Sequence, residues 1–105
     1  MVIKMKENKL VDLSMDFAVK IMKTCEHIKG HYSTNNQLER SGTSIGANIR
    51  EANYAQGKKD FVSKLQIALK ECYETEYWIE LFVKADVLDR DVGKDLYNQC
   101  GTIRR

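Results

Sequence analysis

The sequence predicts an all-α fold, an antiparallel up-down four-helix bundle with short loops, as one domain over residues 1–105. Three observations predict it: the chain has no proline, apolar residues recur at helical spacing in four segments, and glycines or polar turn formers separate those segments. With 43% hydrophobic and 30% charged residues, the composition is that of a globular chain. The length suffices for one core without disulfides or a structural metal.

Helix 1 is predicted over about residues 8–29, where Leu10, Phe17, Ile21 and Ile28 form one apolar stripe and Val11, Met15, Ala18, Met22 and Cys25 another. The second stripe has heptad spacing, and together they cover more circumference than a single packing partner needs. Gly30 supplies the stop. Residues 31–36, HYSTNN, read as a turn in which Asn35 or Asn36 caps a second helix spanning about 37–55. That helix is poor in side-chain bulk. Gly42 and Gly46, four apart, predict a groove that a neighbouring helix enters, offsetting the roughly 1 kcal/mol that each glycine costs inside a helix.

Gly57 interrupts the pattern, and Asp60 falls in the first turn of helix 3, predicted over 58–84, where a carboxylate meets free amides. Phe61, Leu65, Ala68, Cys72, Thr75, Ile79 and Phe82 give it the most regular spacing in the chain, which makes it the central helix. Asp89 caps helix 4, predicted over 90–105, where Val92, Leu96, Cys100 and Ile103 recur at steps of 4, 4 and 3. The pattern runs on to the last residues without a stop signal, so a longer natural helix is expected.

Composition narrows the function classes. The leading MVIKMKENK is charged every two or three residues, so neither a signal stretch nor a membrane span is expected, and a cytoplasmic protein with no membrane partner is. Cys25, Cys72 and Cys100 are widely spaced and odd in number, which reads as reduced core thiols. His27 and His31 are four apart, but Gly30 lies between them and no third ligand is nearby, so surface histidines are expected and no metal. Helical ribonucleases of the HEPN type are similar in size, but they carry an Arg followed four to six residues later by His, and neither Arg40 nor Arg50 has one. No phosphate loop or nucleophile–base pattern is present either, so no enzyme, catalytic residue or cofactor is expected.

Charge is unevenly placed: residues 1–70 hold 12 Lys or Arg against 7 Asp or Glu, whereas residues 71–105 hold 5 against 8. A basic face can therefore exist despite a net charge of +2. Within helix 3 the acids Glu71, Glu74, Glu76 and Glu80 stand in the C-terminal half, against the helix dipole, which suggests either a surface for partners or a solvated face. Tyr73, Tyr77, Trp78 and Leu81 spread around the same stretch, more than one small subunit can bury, and are expected to form an oligomer interface. On helix 2, Ser41, Ser44, Asn48 and Glu51 make a polar stripe. It is either a solvated face or a buried network in which Asn48 sets register.

The stretch RSGTSIGANIREANYAQGKKDF, residues 40–61, followed by KLQIALKECYETEYWIELF, residues 64–82, closely resembles the family of the 23S rRNA intervening-sequence protein. The family pattern falls on Arg40, Ser41, Ser44, Ile45, Ala47, Asn48, Ile49 and Glu51, with further matches at Asp60, Phe61, Lys64, Ile67, Ala68, Glu74, Tyr77 and Trp78. Two mild departures stand at Gly57, where many members have Ser, and at Ala52, where others have Gly. Relatives include the accessory protein of diversity-generating retroelements, which forms a five-fold ring and binds nucleic acid and reverse transcriptase.

The resemblance implies a four-helix bundle, a homo-oligomer that is a pentamer, and affinity for RNA or DNA. From charge density, the expected nucleic-acid contacts are Arg50, Lys58, Lys59 and Lys64, with Lys20 and Lys23 secondary. The alternative expectation is a protein–protein adaptor with no nucleic-acid role, docking a protein partner on the acidic, aromatic half of helix 3.

Overall fold

Four helices follow one another along the chain: α1 (Lys9–His27), α2 (Tyr32–Asn53), α3 (Lys58–Lys84) and α4 (Arg90–Arg104). The computed structural model describes residues 8–105, so the charged leading residues read above for a signal stretch lie largely outside the described residues. Each helix packs on its neighbours in a closed cycle, α1 on α2, α2 on α3, α3 on α4 and α4 back on α1, while the diagonal pairs face each other across the core. The long dimension of 43 Å is close to that of α3 alone, since 27 residues at the α-helical rise span roughly 40 Å.

Phe17, Ile21, Leu38, Ile45, Ile79 and Leu96 are the largest apolar side chains fully withdrawn from solvent, and all four helices contribute to them. The helix spacing places them there: each falls on the inward stripe of its own helix. Between α1 and α2 the backbones come close, as the glycines of α2 require. A Cβ built on Gly42 would meet Ile21 Cγ2 at 2.8 Å, and one on Gly46 would meet the Ser14 carbonyl oxygen at 3.3 Å.

Caps close the ends. Asn8 accepts hydrogen bonds from the amides of Leu10 and Val11 at the start of α1, and Asp89 accepts from Asp91 and Val92 at the start of α4. After α3 the chain reverses at Asp86, which has φ of +60°, and the amides of Val87 and Leu88 both donate to the Phe82 carbonyl at 2.9 and 3.1 Å.

The second helix corrects the expectation from sequence. It begins at Tyr32, five residues before Gln37, and HYSTNN is helical from its second residue. Gly30 and His31, at φ of 76° and 52°, complete the reversal between them, so no longer turn is needed. Asn35 is therefore not a cap. Its side-chain amide donates to the Cys25 carbonyl at 3.1 Å, tying the first turn of α2 to the last turn of α1. Asn36 is an exposed residue of the same helix. The first and second helices also stop about two residues short of the predicted ends, at His27 and Asn53.

Candidate interaction surfaces

The polar stripe of α2 divides into a buried part and an exposed part. Ser41 is fully buried against α3, where Thr75 Oγ1 lies 3.0 Å from Ser41 Oγ. Each hydroxyl also has a carbonyl of its own helix in reach, Leu38 at 3.3 Å for Ser41 and Glu71 at 2.7 Å for Thr75. Neither hydroxyl is left without a partner. Ser44 donates to the Arg40 carbonyl at 2.6 Å. Asn48, which the buried-network alternative makes a register-setting residue, turns back on its own helix and donates to the Ser44 carbonyl at 2.9 Å. It is only half-buried, so register at this seam rests on Ser41 with Thr75 and on the glycines.

Arg40 heads the stripe and explains the acidic block opposite. Its guanidinium holds Glu71 Oε2 at 3.2 Å, pairs closely with Glu74, and takes Gln37 Oε1 at 3.2 Å. Trp78 Nε1 donates to the same Glu74 carboxylate at 3.1 Å. Partial burial pushes Glu74 up, but the hydrogen bonds from Trp78 and Arg40 and the nearby guanidinium charge outweigh it and hold the carboxyl below its ordinary value. Arg40 is raised in turn, chiefly by its hydrogen bond to Glu74. Farther along, buried Glu76 accepts from Arg104 Nε at 2.8 Å, and Glu80 pairs with Lys84 at 3.4 Å. All four acids of the block are thus engaged within the chain. The expected acidic docking patch is mainly an intramolecular clamp, because Arg40 of α2 and Arg104 of α4 answer three of its acids from far away in sequence and Lys84 of α3 answers the fourth.

The residues expected at an oligomer interface separate likewise. Tyr73, Tyr77 and Leu81 stand 55%, 57% and 37% exposed along the outer side of α3, as an apolar ridge. The guanidinium of Arg104 lies over the Tyr73 ring, 5.3 Å from its centroid. Trp78 packs partly buried against the core, with its ring edge-on to Tyr77 at 5.0 Å.

On the other side of the bundle, α1 and α2 border an open groove of about 960 Å³. Met15, Ala18, Val19 and Met22 line it from α1, Thr43, Gly46, Ala47 and Arg50 from α2, and Tyr54, Asp60 and Lys64 close one end. Met15, Val19 and Met22 are each nearly half exposed. Sequence reasoning named Met15, Ala18 and Met22 in the second apolar stripe of α1 but did not place them at a groove, and it passed over Val19. The stripe's members Met15 and Met22 have no counterpart because Gly46 and Ala47 leave the facing wall hollow.

Of the basic residues expected to contact nucleic acid, Arg50 and Lys64 line the groove. Lys58 and Lys59 are exposed at the start of α3 and make no ion pair among the described residues. Lys64 pairs with Glu51 at 3.4 Å, and Lys20 with Asp95 at 3.5 Å. Arg50 sits in the groove wall, and Lys23 is exposed on α1. His27 turns Nδ1 to the Lys23 carbonyl at 2.9 Å. Among the described residues no cluster of three or more His, Cys, Asp or Glu side chains is placed to hold a metal ion, and no helix is long and apolar enough to cross a membrane. Cys25, Cys72 and Cys100 are free and buried.

An all-helical four-helix bundle with one hollow apolar groove and one aromatic ridge defines the class of protein. The chain belongs to the 23S rRNA-intervening sequence protein family, whose family model matches residues 6–105. It is also similar to the crystal structure of a protein of unknown function from the S23 ribosomal protein family of Bacteroides thetaiotaomicron. The identity is 42%, the TM-score 0.85, and the match covers 90% of this chain and 91% of that one. No curated protein matches the chain.

Proposed function

We propose that this protein is a non-enzymatic, self-associating helical bundle of the cytoplasm that binds RNA through basic residues repeated from copy to copy. The observation that carries the reading is the exposure of fourteen large apolar side chains among the described residues, Met15, Val19 and Met22 on α1 and Tyr73, Tyr77 and Leu81 on α3 among them. Association covers such surfaces, and a pentamer is the assembly that fits the family. In it, Lys58 and Lys59 recur around a symmetry axis, so that weak phosphate contacts add. Lys64, Arg50, Lys20 and Lys23 contribute as a second rank, since the first and third are already paired within the chain.

Two measurements test this. Light scattering on the purified protein is expected to give several times the 12.1 kDa of one chain. Filter binding to a structured rRNA fragment is expected to weaken steeply with added salt and to be lost when Lys58, Lys59 and Lys64 are changed to Glu. Binding that ignores salt, or survives the charge reversal, removes the RNA reading and leaves the protein adaptor.

A further inference from the structure

We infer that the α1–α2 groove is the seat of the chain's own leading segment, residues 1–7, laid extended along Met15, Val19 and Met22. The inference is independent of the assembly proposed above, which keeps the α3 ridge whether or not the groove is filled.

Where the segment joins the bundle is the first argument. Residues 1–7 lie outside the described residues and lead into Asn8, whose side-chain amide donates to Asn53 Oδ1 at 3.1 Å. That contact fixes the junction beside the end of α2, and the groove opens there. Tyr54 and Ala55, just past Asn53, and Val11, one turn past Asn8, all line it. From Asn8 to Met22 is roughly 21 Å of helix, and seven extended residues reach roughly 23 Å. The segment is therefore long enough to run the whole groove. Being tethered at its mouth, it competes there at a local concentration that a free ligand lacks.

Pitch is the second. In the leading MVIKMK the apolar residues Met1, Ile3 and Met5 alternate with Val2, Lys4 and Lys6, so an extended backbone puts the first three on one side. Two extended residues advance roughly 6.6 Å, close to the rise of about four helical residues. Val11, Met15 and Val19 are four apart and Met22 follows three later, so the two apolar rows keep step. The hollow left by Ala18, Gly46 and Ala47 has room for long side chains, and methionine adapts to an irregular wall. All four methionines of the chain, Met1, Met5, Met15 and Met22, fall in the segment or in the groove. Charge opposes nothing here: the mouth holds Arg50 and Lys64 with Glu51 and Asp60, and Lys6 and Glu7 likewise bring both signs to it.

The test is nuclear magnetic resonance on the full chain, isotope-labelled at the methionine methyls. A nuclear Overhauser cross-peak between the Met5 and Met15 methyls is expected. Ile3→Asp, which puts a charge on the side facing the groove, is expected to erase it. The same change should shift the Met15 and Met22 resonances to where they stand when residues 2–6 are deleted. Lys4→Ser, on the opposite side, is expected to leave both cross-peak and resonances in place. Circular dichroism checks that every variant melts cooperatively. An equal mixture of Met5→Leu and Met15→Leu chains can give a Met5–Met15 cross-peak only between copies, and is expected to give none. The seat is overturned if the wild type lacks the cross-peak, if Ile3→Asp leaves Met15 and Met22 unmoved, or if Lys4→Ser erases the cross-peak as fully. A cross-peak from the mixture overturns it too, since the groove then takes the segment of a neighbour.

Discussion

Thr75 Oγ1 of α3 lies 3.0 Å from Ser41 Oγ of α2, with both side chains fully buried. The pair is the polar lock of the most extensive helix–helix seam in the bundle. Replacing Thr75 with Val keeps the shape but leaves Ser41 one neighbour fewer, a cost of about 1 to 2 kcal/mol. Removing both hydroxyls, as Ser41→Ala with Thr75→Val, is expected to cost less than the sum of the single changes. Urea melts of the four members of this cycle measure the coupling, and strict additivity would show that the hydroxyls act independently.

Gly42 is a position where helix propensity and packing oppose each other. Alanine gains up to about 1 kcal/mol as a helix former, yet its methyl would stand 2.8 Å from Ile21 Cγ2. Gly42→Ala is expected to destabilise by about 1 to 3 kcal/mol from overpacking. Pairing it with Ile21→Ala, which removes both γ-carbons that the methyl would meet, is expected to cost less than the sum of the two single changes, which thermal melts of the four members of the cycle would reveal.

The clamp of Arg40 on Glu74 makes a pH prediction with a definite sign. Glu74 titrates below its ordinary value of 4.5 in the folded chain, so the unfolded chain binds the proton more readily. The stability that Glu74 contributes is therefore complete above its unfolded value and is lost as pH falls through the depressed folded value. Glu74→Gln should cost on the order of 1 kcal/mol near pH 7, given that the pair is partly open to solvent. That difference from wild type should shrink toward zero on acidification, and a cost that stays constant down to strong acid would contradict the assignment.

Buried thiols should be silent in the native state. Burial, aided by the charge of Glu39, pushes Cys25 up to about 12, and Cys100 is raised by its hydrogen bond with Cys72 and by burial. Cys72 is lowered by that same hydrogen bond, yet its side chain is inaccessible. At pH 8 a thiol reagent is expected to titrate far fewer than three groups in the folded protein and all three in denaturant. Fast native labelling of Cys72 or Cys100 would mean that α4 opens readily from α3.

The turn after α3 holds Asp86 in the left-handed region with φ of +60°. Asp86→Gly is expected to raise stability by about 0.5 to 1 kcal/mol and Asp86→Val to lower it. A calorimetric Tm that moves the other way for glycine would place the local cost elsewhere.

Periodicity alone revealed the four helices, most of their inward stripes although Phe61 and Val92 are exposed, the close approach at Gly42 and Gly46, Asp60 in the first turn of α3 and the cap at Asp89, because each depends on spacing within one helix. The family motif was likewise legible from residues 40–82. The start of α2 was not, since the turn preference of Ser33, Thr34 and Asn35 is overridden once Gly30 and His31 complete the reversal and the Asn35 amide finds the Cys25 carbonyl. Nor could spacing show that Arg40 and Arg104 answer the glutamates of α3, or that Met15 and Met22 border a hollow. Those relations join atoms some 28 to 34 residues apart in the chain. Only the packing of one helix against another sets such distances, because hydrogen bonds, ion pairs and grooves between helices depend on how the helices meet and not on the order of residues along any one of them.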